Sequence, residues 1–216
     1  MALARVPGSV GAAIVLSLVT SAATPARAEM VTYDLDRAAS TVDFTIYASK
    51  IFNFKREGQF REFSGRLTFD PDNPVGTQVD LTVYTSSVDI HNDEHNQLLK
   101  SGAFFDVDRF PTLHFTSSST DMKPDGTFSV TGDLTIRGIT QRMTIPVKLK
   151  LPGTGGPTAL FESTFEIDRT EFGLTGVAKT TGFNVSISKK VQIHIAMATP
   201  RRVEPAVDSV ELPTPD

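Results

Sequence analysis

The segment from Val83 to Thr116, VYTSSVDIHNDEHNQLLKSGAFFDVDRFPTLHFT, constrains the fold more than any other part of the chain. On either side of it, apolar and polar side chains alternate with period two, the pattern of half-buried antiparallel strands. Within it a strand gives way to a polar, helix-like stretch, then to Phe104-Phe105, then to Phe110-Pro111 and a new strand. A β-rich chain with one such excursion fits a closed barrel with a helical insertion over its mouth, and barrels of that kind enclose apolar ligands. The expectation is a carrier more than an enzyme; the alternatives are an enzyme acting on a lipid or quinone within the barrel and a filled barrel that serves as a ligand-free stress or interaction module.

The alternation runs through Val42, Phe44 and Ile46, through Leu67 and Phe69, through Val79, Leu81 and Val83, and through Leu113 and Phe115. It continues over Phe128 to Asp133, Leu134 to Arg137 and Met143 to Leu151, then Phe161, Phe165 and Ile167, and lastly Val191 to Met197. Asp70-Pro71-Asp72-Asn73-Pro74 and Lys123-Pro124-Asp125-Gly126 carry strong turn chemistry. Arg137 to Gln141 reads as a hairpin connection, Pro152 to Pro157 as a loop, and Gly132 as a bulge or bend. A register irregularity is expected after Phe161. The total is about eight strands, the number of a small ligand-holding barrel. Two places resist a strand reading: Asn92 to Lys100, with weak helical spacing, and Gly173 to Gly182, read as a loop.

The two ends lie outside this pattern. Residues 1–28 have the form of a cleaved Sec-type secretory signal: Arg5, the apolar run Val10 to Val19, and Ala26-Arg27-Ala28 before the cut. The apolar run is short of the roughly 20 residues a membrane span requires. Residues 29–199 then form the barrel domain, and the Pro-rich, acidic stretch 200–216 reads as disordered. Without Arg5 and Arg27 the chain carries 19 basic against 25 acidic side chains, a net charge of −6. That balance argues against a nucleic-acid partner and against tight docking on anionic lipid. With no cysteine, thiol chemistry and Cys-ligated metals are excluded. The aromatic content is 15 Phe, 3 Tyr and no Trp, rings that fill a core or an oily cavity without needing hydrogen-bond partners.

His91-Asn92-Asp93-Glu94-His95 is the most chemical-looking cluster. Two His four apart share a helical face and can bind a metal. The order needed for a zinc hydrolase, Glu directly after the first His, is absent. The plain alternative is a solvated helix start capped by Asp89 or Asn92. A third is a polar rim, with His91, Asn92 and His95 meeting a ligand head group. No nucleophile elbow, phosphate loop or dinucleotide glycine pattern occurs. Catalytic residues, metal sites and cofactors are therefore not expected. Phe104 and Phe105 cannot share one face of a strand, so they plug the barrel end or line the entrance to a cavity. Ile51-Phe52-Asn53-Phe54 is a second apolar break in the alternation.

Four segments in order resemble the YceI-like periplasmic proteins: YDLDRAASTVDFTI (33–46), EGQFREFSGRLTFD (57–70), LLKSGAFFDVDRFPTLHFTS (98–117) and GDLTIRGITQRMTIPVKL (132–149). IDRTEFGL (167–174) is a weaker fifth. The resemblance implies an all-β, antiparallel, eight-stranded lipocalin-like barrel with a short helix near its mouth. It implies an apolar tunnel that binds a polyisoprenoid or other long-chain amphiphile, export to the periplasm, no established catalytic activity and a possible homodimer. Walls are expected from Phe44, Ile46, Phe52, Phe54, Leu67, Phe69, Leu98, Phe104, Phe105, Phe115 and Ile136. The chain departs from the family at two places near the mouth. His95-Asn96-Gln97-Leu98-Leu99 stands where Arg-Asp-x-His-Leu is common. Ser49 to Phe54 replaces a His-Leu-Gly-Phe-like segment.

Overall fold

A computed structural model describes residues 30–48, 54–70, 75–151, 159–176, 178–180, 183–185 and 187–200. The expected leader, the Pro152 to Pro157 loop, most of the Asp70 to Pro74 turn and nearly all of the tail lie outside these residues. The elements are β1 (Val31–Asp34), β2 (Thr41–Ala48), β3 (Phe54–Phe60), β4 (Phe63–Phe69), β5 (Gln78–Tyr84), β6 (Val88–Asp89), α1 (Asp93–Lys100), β7 (Thr112–Met122), β8 (Phe128–Ile136), β9 (Ile139–Lys150), β10 (Leu160–Asp168), β11 (Ala178–Thr180), β12 (Phe183–Val185) and β13 (Ile187–Ala198). Eleven of these segments join in one antiparallel sheet, and β11 and β12 form a separate hairpin.

Chain continuity reduces the eleven segments to eight strands. β3 runs into β4 around a corner at Arg61-Glu62, and β5 runs into β6 through the 3-10 turn Thr85–Ser87. The ladder between these two bent strands crosses the corner, with Arg61 N donating to Ser87 O (3.2 Å) and Tyr84 N to Glu62 O (3.0 Å). β1 and β2 form a third bent strand: β1 pairs with β4, Leu35 N reaches Gly65 O, and β2 pairs with β3. Counted this way, every strand neighbours its successor, and β13 pairs back onto β2. The result is an up-and-down barrel of eight antiparallel strands, as expected. The ring has one seam. The β9–β10 ladder covers only Val147–Lys150 against Leu160–Ser163 and stops at Pro146, which has no N–H to donate.

The β8–β9 connection is a two-residue turn, Arg137-Gly138, with both φ values positive (53° and 73°). Such turns match the strand twist and favour Gly at the second position. The irregularities differ in place from those expected. The bulge lies on β7 between Ser117 and Ser119, opposite Gly132, not at Gly132 itself. Gly132 instead leaves room for the Phe115 ring, whose Cζ would stand 2.6 Å from an added Cβ. β10 pairs with β13 in unbroken register through Phe161, and the slip falls between Ile187 and Val191 of β13 against β2. The Gly173 to Gly182 stretch is not wholly loop, because it holds β11.

Inward side chains from the eight strands form one apolar core. At the end away from α1, Leu67 and Phe69 are fully buried, and Phe69 meets Phe161 edge-to-face with centroids 5.1 Å apart. This end is the floor. α1 and the chain after it cover the other end, the mouth.

Candidate functional site

Among the described residues, two apolar cavities lie in the barrel interior, one above the other. The lower, about 90 Å³, is walled by inward residues of β2, β5, β7, β8, β9, β10 and β13, among them Phe44, Leu81, Phe115, Val130, Phe161 and Met197. The upper, about 80 Å³, lies under the cover, between Leu99, Phe104 and Phe105 above and Ile46, Phe60, Ile187 and Val191 around it. Phe44, Phe60, Leu113, Ile136, Ile167 and Ile193 border both. The interior is neither packed solid nor open as a wide tunnel. Each void is smaller than the roughly 300–1,000 Å³ usual for ligand sites. A long guest therefore enters by displacing side chains. Leu134, Met143 and Phe165 point inward by alternation yet are only half-buried, as expected beside the β9–β10 seam.

The cover is built from polar anchors. Asn92 caps α1, its side chain accepting from His95 N at 2.9 Å. Asp89 is not the cap. It is a buried carboxylate that accepts from Asn96 Nδ2 (2.9 Å), His91 N (2.9 Å) and the Arg61 guanidinium (2.9 Å at Nε). These hydrogen bonds, the one from Asn96 first, hold its pKa well below the usual carboxylate range. α1 thereby hangs from β6. Beyond α1, Arg137 in the β8–β9 turn donates to Phe104 O and to Gly102 O (2.9 Å). Buried Thr85 receives the end of the cover, with its N–H bonded to Pro111 O and its Oγ1 to Phe110 O, both at 2.9 Å. Phe105 packs edge-on against Phe60 (5.6 Å), which in turn meets Phe44 (5.5 Å). Across the mouth, an added Cβ at Gly176 would stand 2.7 Å from the Phe104 ring, so the chain after β10 seats directly on the cover.

Of the expected wall residues, Phe44, Ile46, Phe104, Phe105, Phe115 and Ile136 border a cavity. Phe104 and Phe105 thus serve as both plug and wall. Leu67 and Phe69 are buried in the floor and Leu98 packs against the core, but none of the three borders either cavity. Phe52 lies outside the described residues, as does the Phe54 side chain. The head-group expectation finds no geometric support. His91 is exposed and borders a polar groove on the outer wall, Asn92 is committed to the cap, and neither they nor His95 borders an apolar cavity. No cluster of three metal-ligating side chains occurs among the described residues.

The charged side chain beside the upper cavity is one the sequence reading did not single out, Arg169. It opens the 3-10 turn Arg169–Phe172 and is 7% exposed. Its Nε donates to Ser188 O (2.9 Å), one terminal nitrogen to Leu174 O and the other to Ile187 O (3.2 Å). Its Cζ lies 6.0 Å from the Phe104 ring centroid. Burial lowers its pKa, and the charge of Asp168 acts in the opposite direction. A guanidinium is a poor proton-transfer group and a strong hydrogen-bond donor to anions. Asp43 and His114 also border the lower cavity, but alternation directs both outward, where His114 meets Asp80 in an exposed pair.

An eight-stranded ring with one covered apolar mouth has known counterparts. The model of the YceI-like domain matches residues 33–199. The chain belongs to the YceI-like family. Protein YceI of Salmonella arizonae is 37% identical over 121 residues, which is 55% of this chain and 63% of that protein. Among solved structures, BcnA of Burkholderia cenocepacia aligns with TM-score 0.64 and 26% identity over 76% of this chain and 98% of its own. A polyisoprenoid-binding domain from Saccharophagus degradans, implicated in plant cell wall breakdown, aligns with TM-score 0.59 over 78% and 98%; at 16% identity it supports the fold alone. Among the described residues of this YceI-like chain, no helix is long and apolar enough to cross a membrane.

Proposed function

We propose that this YceI-like protein binds a long-chain amphiphile of the polyisoprenoid class inside the barrel and carries or buffers it in the periplasm. The observation that carries this reading is the pair of stacked apolar cavities that share a ring of side chains and end under Phe104 and Phe105. A flexible prenyl chain is apolar along its length and narrow in section, so it suits a stack of small voids that join when side chains rotate. Burial gains about 25 cal/mol per Å² of apolar surface, and part of that gain offsets the cost of ordering the chain. The secretory-signal form of the sequence at 1–28 supports the export part of this reading. The binding step involves no covalent chemistry. Pairing of two copies is compatible with this role but not required by it.

Native mass spectrometry of the protein purified from a periplasm without detergent tests the reading. The expected result is a discrete added mass that organic extraction releases as a prenyl lipid. A bare protein mass that stays bare when prenyl lipids are offered would overturn it.

A further inference from the structure

We infer that Arg169 makes the upper cavity selective for amphiphiles with an anionic head group, a carboxylate or a phosphate ester. The inference deepens the binding role proposed above and rests on it. The upper cavity borders a buried cationic side chain, Arg169, next to Phe104 and under the cover. Among the described residues no carboxylate forms an ion pair with Arg169, whereas Arg137 at the same mouth reaches Asp106 at 3.8 Å. Asp168, the neighbour whose charge reaches Arg169, has its own carboxylate committed to Thr170, accepting from that residue's N–H at 2.9 Å and from its hydroxyl.

The guanidinium has five N–H groups, of which three meet backbone carbonyls. One N–H remains on each terminal nitrogen, enough for a two-oxygen contact with a carboxylate or phosphate. The carbonyls and the Phe104 ring solvate the charge but do not neutralise it. An apolar surround strengthens attraction to an incoming anion. Two of these hydrogen bonds tie the turn after β10 to the start of β13, and the third, to Leu174 O, closes the turn on itself, so the side chain is held in place before a ligand arrives. The alkyl or prenyl tail of such a ligand would extend from Arg169 down through the two cavities.

Isothermal titration of the folded protein with matched pairs provides the test: farnesyl phosphate against farnesol, and hexadecanoate against hexadecanol. The expected result is that each anion binds about 10- to 100-fold more tightly than its alcohol. R169Q should remove the preference for each anion over its alcohol, and R169K should keep part of it. The phosphate and carboxylate arms separate the two head-group classes. If the wild-type protein binds alcohol and anion equally, the inference fails and the binding role stands. If R169Q weakens all four ligands alike, Arg169 acts only as a structural clamp and the inference again fails. If none of the four binds, the underlying binding role fails and takes the inference with it. Should R169Q not fold, R169K decides the matter: a wild-type anion preference that R169K leaves entirely unchanged would overturn the assignment to the Arg169 guanidinium, and a reduced preference would support it.

Discussion

The floor and the mouth of the barrel are stabilised by different means. At the floor, Leu67, Phe69 and Phe161 interdigitate with almost no exposure, and Phe69 stacks between Tyr33 and Phe161. Stability there is dispersion and apolar burial spread over many contacts. At the mouth, a short helix and a coiled segment are held by a few named polar groups: Asp89, Asn92, Arg137 and Thr85. A packed floor can give way only with the barrel, whereas a cover tied to it by the polar contacts of Asp89, Arg137 and Thr85 and by the packing of Phe104 and Phe105 shares no strand ladder with it. A binding protein needs both a wall that keeps its shape and an entrance that opens.

That contrast can be broken or sharpened by substitution. The largest effect is expected from F69A, which leaves a void in the floor and should cost about 3–5 kcal/mol, read as a lower denaturant midpoint for the whole barrel. A result near zero would mean the floor is loosely packed. Next, F105D places a carboxylate in the upper cavity. It should abolish retention of a co-purified lipid, checked by native mass spectrometry, while the strand signal in circular dichroism persists. Third, D89N should raise hydrogen exchange in 90–110 and leave β8 and β13 protected. Acid should act the same way. The Asp89 carboxyl is held below its ordinary 3.8, so its contribution is complete above about pH 4 and is lost as pH falls through the lowered folded value. Exchange that rises equally in the cover and in the strands would show that the mouth does not open separately. The smallest effect is expected from N92A, about 1 kcal/mol from a lost cap, visible as faster exchange in the first turn of α1 alone.

Much of the barrel was legible because period-two alternation follows directly from which face a strand buries. The slips in that period mark its corners. Phe60 and Phe63 both point inward, three apart rather than two, and the chain turns the Arg61-Glu62 corner between them. Val88 follows buried Thr85 at the same spacing. Ser163 shows how a slip can mislead. It is a polar residue at an inward position just after Phe161, where an irregularity was expected, yet its hydroxyl donates to Pro146 O and the register holds. The site was less legible. Phe104 and Phe105 stood out as a doublet, whereas His91 and His95 drew attention by residue type and lie away from the cavities. Arg169 follows Asp168 at a strand end and resembles an ordinary surface pair. Its role depends on carbonyls of residues 187 and 188, which only the closed ring brings near.

That closure also bears on how the protein reaches its native state. The last strand of the ring, β13, completes it by pairing with β2, so Ile195 lies opposite Val42. The chain must therefore be almost fully synthesised before the ring can close. Until then β2 and β10 each present an unpaired edge open to association with other chains. Contacts so distant in sequence form slowly. Chaperone protection during that interval, and not the stability of the finished barrel, would then limit how much functional protein a cell obtains.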